Sequence, residues 1–136
     1  MPFNKVDALL LAHVTYSIFD RVVPETFDKR KTFAKVAKDF SSAPDYEERI
    51  NIGFLINKRT AELMFKCAES ERYKNVELCG FRNIYDEENV EQFAAVTYLI
   101  DGKPVIALRG TDDTITGWKE DFNIAWQPQI PAQIDA

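Results

Sequence analysis

The residues whose types and spacing could do chemistry gather in one stretch of this chain. An apolar run, Val105 to Leu108, ends in Arg109-Gly110-Thr111, and a polar loop then leads to Trp118 and Asp121. Gly110 lets the backbone turn sharply and lets a ligand come close. Thr111 offers a backbone N–H and a hydroxyl just past the carboxyl end of a strand, where open α/β sheets place their ligands. A helix expected to begin near Gly117 would add the positive end of its dipole. Preorganised donors of this kind stabilise a developing oxyanion. The same residues also fit an ordinary strand-turn-helix corner, since short motifs recur by chance.

An oxyanion site serves a nucleophile, and the serines here are Ser17, Ser41, Ser42 and Ser70. All precede the corner, and none sits in a G-x-S-x-G elbow, which an α/β-hydrolase places after the next strand. His13 also comes before the corner, within the apolar periodicity of the first helix, and reads as a core or surface histidine. Cys67 and Cys79 match no common zinc spacing and read as two free thiols. Asp112, Thr114, Thr116 and Gly117 loosely follow a calcium loop, but its twelfth position is Asn123 where a bidentate Glu is needed. Asp86, Glu87, Glu88 and Glu91 read as a solvated turn. Arg109 is expected to form a structural ion pair. No metal or cofactor is expected.

The positioning elements must come from 136 residues, which suits one domain. Hydrophobic residues make up 46% and aromatics 12%, enough for a packed core. The net charge of −5, with both signs interspersed, argues against a nucleic-acid partner. The N-terminal run "KVDALLLAHV" is interrupted by Asp7 and His13 and lacks a cleavage site, so it does not read as a signal peptide. No segment approaches the ~20 apolar residues of a membrane span. A cytoplasmic protein is expected.

Residues 4–23 read as an amphipathic helix with Val6, Leu9, Leu10 and Tyr16 on its apolar face, ended by Pro24. Residues 28–40 read as a second helix that turns Phe33, Val36, Ala37 and Phe40 inward. A loop with a short helix follows. Residues 58–71 form a third helix with Ala61, Met64, Phe65 and Ala68 inward. The pattern then changes to strands, "VELCGFRNIYDEE" and "EQFAAVTYLI". Asp101-Gly102 is a type I′ hairpin signal, and "PVIALRG" is the returning strand, with Pro104 at its start. Its nearly continuous apolar character suggests cover on both faces. The expected fold class is α/β, with residues 1–71 mainly helical and 76–126 forming strands plus a helix. A last helix is expected to start near Pro131.

R-G-T after an apolar strand, followed by Trp118-Lys119-Glu120-Asp121, resembles the oxyanion-hole segment of class 3 lipases. A closer resemblance is to a bacterial lipase-like α/β-hydrolase family, a domain of unknown function. It rests on E-E-x-x-x-Q-F-x-A-V-T at residues 87–97 and R-G-T-D-D-T-x-x-G-W-K-E-D-F-N at residues 109–123. The resemblance implies that Thr111 is an oxyanion-hole residue and that Asp121 supports its hydroxyl or the loop. It makes Trp118 a packing residue. It also implies an incomplete α/β-hydrolase-like fold: the N-terminal portion of a serine esterase or lipase acting on ester or lipid-like substrates, inactive without a serine and a histidine supplied elsewhere. The alternative is a non-enzymatic interaction or regulatory module. In the first case the strand at 104–110 lacks its neighbour, and either self-association through an unpaired sheet edge or marginal folding with a mobile C-terminal third from about Thr111 onward is expected.

Overall fold

The computed structural model describes residues 2–51, 58–86, 88–89, 91–109 and 131–136. The first helix, α1, spans Lys5–Val14 and starts from a reciprocal cap. Asn4 Oδ1 accepts from the N–H of Val6 and Asp7, while the Asp7 carboxylate accepts from the N–H of Asn4 at 2.8 Å. This satisfies donors that a helix start leaves open. The helix stops well short of Pro24. Thr15 closes it, donating its hydroxyl to the Leu11 carbonyl, and the following turn buries Phe19, Val22 and Val23. Those three side chains reach the core only because the chain leaves the helical path.

The buried side of α1 also differs from the periodic reading. Leu11, Val14 and Asp7 face inward, while Val6 and Leu9 are exposed. A charged partner for Asp7, described below, fixes this rotation.

Lys31–Thr32 form a short strand, β1, where helix was expected, and α2 runs Phe33–Ser41. The strand forms because Lys31 and Thr32 pair with Leu78 and Glu77 of the next strand, and the Thr32 hydroxyl then caps α2. Phe33, Val36, Ala37 and Phe40 are all buried, as their spacing predicts. The short α3 covers Tyr46–Arg49, and α4 covers Lys58–Glu69 with Ala61, Met64 and Ala68 buried.

β2 (Glu77–Asp86), β3 (Glu91–Ile100) and β4 (Lys103–Arg109) complete a four-stranded antiparallel sheet in the order β1-β2-β3-β4. The hairpin between β3 and β4 turns on Asp101 at φ 51° and Gly102 at φ 74°, the positive pair that a type I′ turn needs. β2 carries a bulge that the alternation did not announce. Gly80 and Phe81 together oppose Val96, and Gly80 takes φ 58°. The extra residue returns Phe81 to the core face. The Phe27 ring lies directly over Gly80, where a Cβ would meet it at 2.4 Å.

The molecule is a small mixed α/β domain. α1 packs on α4 and β4, and α2 packs on α4, β1 and β2. Between helices and sheet lie Leu78, Phe81, Val96, Tyr98 and Ala107, interlocked with an aromatic set of Phe19, Phe33, Phe40 and Phe65. The expected cover on both faces of β4 is not what the described residues show. Directly opposed residues of an antiparallel pair share a face. Ile106 opposes Thr97 and Leu108 opposes Ala95, and both remain exposed on the face away from the core. Among the described residues β4 is the last strand of the sheet, a position that also suits Pro104. Near the chain's end α5, Pro131–Asp135, lies against β3. Among the described residues no helix is long and apolar enough to cross a membrane.

Candidate functional site

The corner singled out by its residues begins where β4 ends. Arg109 closes the strand, whereas Gly110, Thr111, Trp118 and Asp121 lie outside the described residues. The calcium-like positions 112–123 lie outside them as well.

Arg109 is buried and sits in one row with Ala94 of β3 and Asn83 of β2. Ala94 is small, so the guanidinium can pass over it. Arg109 Nη2 donates to Asn83 Oδ1 at 3.1 Å. The other end of that amide, Nδ2, donates to both carboxylate oxygens of Asp20 at 3.1 and 3.2 Å. Through this amide Arg109 is linked to the Asp20 carboxylate. The backbone around Asp20 is held in turn by Arg49, whose Nη1 donates to the carbonyls of Ile18 and Asp20 at 2.7 and 2.8 Å. Arg49 Nε pairs with Asp45 at 2.8 Å. A polar line therefore runs from α3 to the carboxyl end of β4. Sequence spacing could not reveal it, because its members are far apart along the chain.

A second charged group lies at the other end of β3 and β4, near their turn. The Asp7 carboxylate, 2% exposed, accepts from Arg72 Nε and Nη2 and from the Tyr73 hydroxyl. Arg72 also donates to the Pro2 carbonyl at 3.0 Å. The hydrogen bonds from Arg72, then those from Tyr73 and Asn4, hold the Asp7 carboxyl well below the usual carboxylate range despite its burial. Burial and the same contact raise the Tyr73 phenol. A cavity of about 520 Å³ opens beside this group, bordered by Glu71, Asn75, Leu99 and Asp101. Every acceptor position of Asp7 is taken by the fold, and the group reads as a clamp between the N-terminus and the α4–β2 turn. The pattern N-x-x-D before an apolar run was the available signal for its capping half.

The serines hold structural posts. Ser41 and Ser42 donate to the Lys38 carbonyl, and Ser70 donates to that of Cys67. Ser17 is buried, and its hydroxyl has no hydrogen-bond partner among the described residues. His13 is exposed, with Nε2 at 3.4 Å from the Thr60 hydroxyl oxygen. Burial pushes the Cys67 thiol up to about 11 and raises Cys79 as well, which keeps both protonated at neutral pH. Asp86 accepts from the N–H of Glu88 and Asn89 and from the Asn89 amide, so its carboxylate builds the turn. Among the described residues no three His, Cys, Asp or Glu side chains come together as a metal site.

No curated protein and no solved structure matches this chain. One family model does, that of the Mbeg1-like proteins, over residues 67–136. The match begins inside α4, includes β2, β3 and β4, and spans both segments that carry the lipase-like resemblance. With just over half of its length matched, the chain belongs to the Mbeg1-like family.

Proposed function

We propose that this chain is the oxyanion-bearing N-terminal portion of a serine-hydrolase-like protein that acts on ester or lipid-like acyl substrates. The observation that supports the reading is that β4 runs Lys103–Arg109, directly before Gly110 and Thr111 in the chain. In this reading the Thr111 N–H and hydroxyl donate to the oxyanion and Asp121 holds the hydroxyl. The nucleophilic serine and its histidine come from outside these 136 residues. The 136 residues alone then hydrolyse no ester. The reading also places the protein in the cytoplasm, where Cys67 and Cys79 stay thiols.

The test uses the longest in-frame polypeptide that contains this chain, assayed with short-chain p-nitrophenyl esters and a fluorophosphonate probe. Thr111→Val is expected to keep the fold and lower kcat roughly 10²-fold, the usual cost of one oxyanion donor. Asp121→Asn should act in the same direction but less. An unchanged rate in Thr111→Val would leave the corner purely structural. Probe-sensitive turnover by the 136 residues alone would refute the division of parts.

A second reading, a non-enzymatic interaction module, draws support from the exposed Ile106 and Leu108 on β4, the last strand of the sheet among the described residues. Exposed apolar edges invite pairing with another chain. Light scattering on the same material separates the two, because association without any probe-reactive serine favours this one.

A further inference from the structure

We infer that the cavity between Arg21 and Arg49 is a binding site for a small oxyanion, a carboxylate or phosphate group held by both guanidinium groups. The site goes beyond the hydrolase reading and uses none of its residues.

Arg49 is a buried cation, 4% exposed, and such a group is costly unless its donors meet acceptors. Its Nε donates to Asp45, and its Nη1 donates to the carbonyls of Ile18 and Asp20. Its Nη2 makes no hydrogen bond among the described residues. Arg49 also borders a surface cavity of about 420 Å³, together with Arg21, Val22, Asp39, Ser42 and Asp45. Nη2 is the donor that Arg49 has left to offer a guest there.

The charges around the cavity favour an anion. Asp39 accepts from Lys31 and Lys35, each at 2.8 Å. Asp45 accepts from Arg49 at 2.8 Å and faces Arg21 at 3.5 Å. Each carboxylate thus meets two cations, which leaves a positive surplus. The nearby Asp20 carboxylate is engaged by the Asn83 amide. Ser42 adds no donor, because its hydroxyl and its N–H both go to the Lys38 carbonyl. The guest is therefore held by the two arginines, whose planar forks match the oxygens of a carboxylate or a phosphate.

Arg21 stands at this cavity at a cost. Its φ of 61° is one that L side chains pay to adopt. Backbone strain of this kind gathers at ligand clamps, where the surroundings hold it in place. The side chain is 82% exposed, and its ion pair with Asp45 is loose. It can turn to a guest without giving up a packed position, opposite a partner, Arg49, that cannot move.

The test titrates the full 136-residue chain, ¹⁵N-labelled, with sodium phosphate, with sodium acetate and, at equal ionic strength, with sodium chloride. At least one oxyanion is expected to shift the Val22 and Ala43 amides and the Arg49 Nε–H signal saturably, with half-saturation on the order of 1 mM. The tighter of the two names the source, a phosphate or a carboxylate. Chloride should cause only a slight linear drift. Arg21→Gly removes the outer guanidinium and keeps the fold, so it should weaken binding roughly tenfold, the scale of one hydrogen bond to a charged group. Lys29→Gln removes a cation that does not border the cavity and should bind as wild type does. Four results would overturn the inference. They are no saturation by either oxyanion up to about 20 mM, equal shifts with chloride, unchanged affinity in Arg21→Gly, and equal weakening in Lys29→Gln. A saturable response to calcium chloride that neither oxyanion matches would assign the cavity to cations and overturn it as well. No ester enters these titrations, so this inference and the hydrolase reading can fail independently.

Discussion

Two arginines near opposite ends of β3 and β4 are held in different ways. At the turn end, Arg72 meets the Asp7 carboxylate directly, and Tyr73 and the Asn4 N–H complete the shell of that carboxylate. At the open end, Arg109 is linked to the Asp20 carboxylate through the Asn83 amide. The direct pair joins residues 65 apart in sequence and buries its anion, so its loss strands a charge and unfastens the N-terminus. The relayed row leaves its anion half-buried, with exposed bonds to Asn83. The first arrangement is a buried pair between distant segments, and the second is a relay whose outer bonds are exposed.

The largest predicted effect separates these cases. Asp7→Asn removes the charge that Arg72 answers and weakens the α1 cap. A loss of about 3 kcal/mol is expected in urea unfolding, the range for a broken buried pair. Asp20→Asn should change stability by no more than about 0.5 kcal/mol, as surface substitutions do. Equal losses in the two variants would erase the distinction.

The same contrast has a pH signature. The folded-state pKa of Asp7 is depressed, mainly by Arg72. Its stabilisation is therefore complete above the unfolded carboxyl value, about 3.9. It is lost as pH falls from there towards the lowered folded value. Between about pH 5 and pH 2 wild type should lose more stability than Asp7→Asn, so their difference should narrow as the solution is acidified. Parallel curves for the two proteins would count against the clamp.

This contrast also marks how far the sequence could be read. The Asp101-Gly102 hairpin, the inward faces of α2 and α4 and the final helix at Pro131 were legible, because turn chemistry and periodicity are local. The rotation of α1 was not. Val6 and Leu9 are exposed because Asp7 is drawn inward by partners at positions 72 and 73, which no local period encodes. The start of α2 moved from residue 28 to Phe33 because β1 pairs with β2, again a distant partner. Likewise α1 ended at Val14 because Phe19, Val22 and Val23 had core to fill. For the candidate site, motif reading found the strand that carries Arg109 but not its contact with Asn83 or the link to Asp20. Thr111 and Asp121 remain readings by resemblance.

A smaller effect is expected where the relayed row's backbone is bent. Arg21 follows Asp20 and has φ 61°, a conformation that L side chains pay to adopt. Its side chain is 82% exposed and makes one loose ion pair, 3.5 Å from Asp45. Arg21→Gly relieves roughly 1–2 kcal/mol of backbone strain. It gives back about 0.4–1 kcal/mol through a freer unfolded chain. A net gain of about 0.5–1 kcal/mol is expected in thermal or urea unfolding. A variant no more stable than wild type would mean that the turn stores no strain worth releasing.

The smallest change in stability is expected at the edge between the two arginines, and there the informative readout is assembly. Ile106 and Leu108 are exposed on β4, at 66% and 51%, and the neighbouring strand order ends there among the described residues. Substituting an exposed apolar side chain with lysine removes no core packing, so Ile106→Lys and Leu108→Lys should each move unfolding by about 0.5 kcal/mol or less. Charged side chains on an edge strand oppose pairing with a second chain. Wild type is therefore predicted to show concentration-dependent association by light scattering, and the double variant to remain monomeric at the same concentrations. Because the Asp7 clamp lies at the other end of the strands, the acid limb of unfolding should be the same in both proteins. A wild type that stays monomeric throughout would remove the self-association reading and leave the edge as a surface without a partner of its own kind. A double variant that still associates would move the interface away from β4, with the exposed Val6 and Leu9 of α1 as the next surface to test.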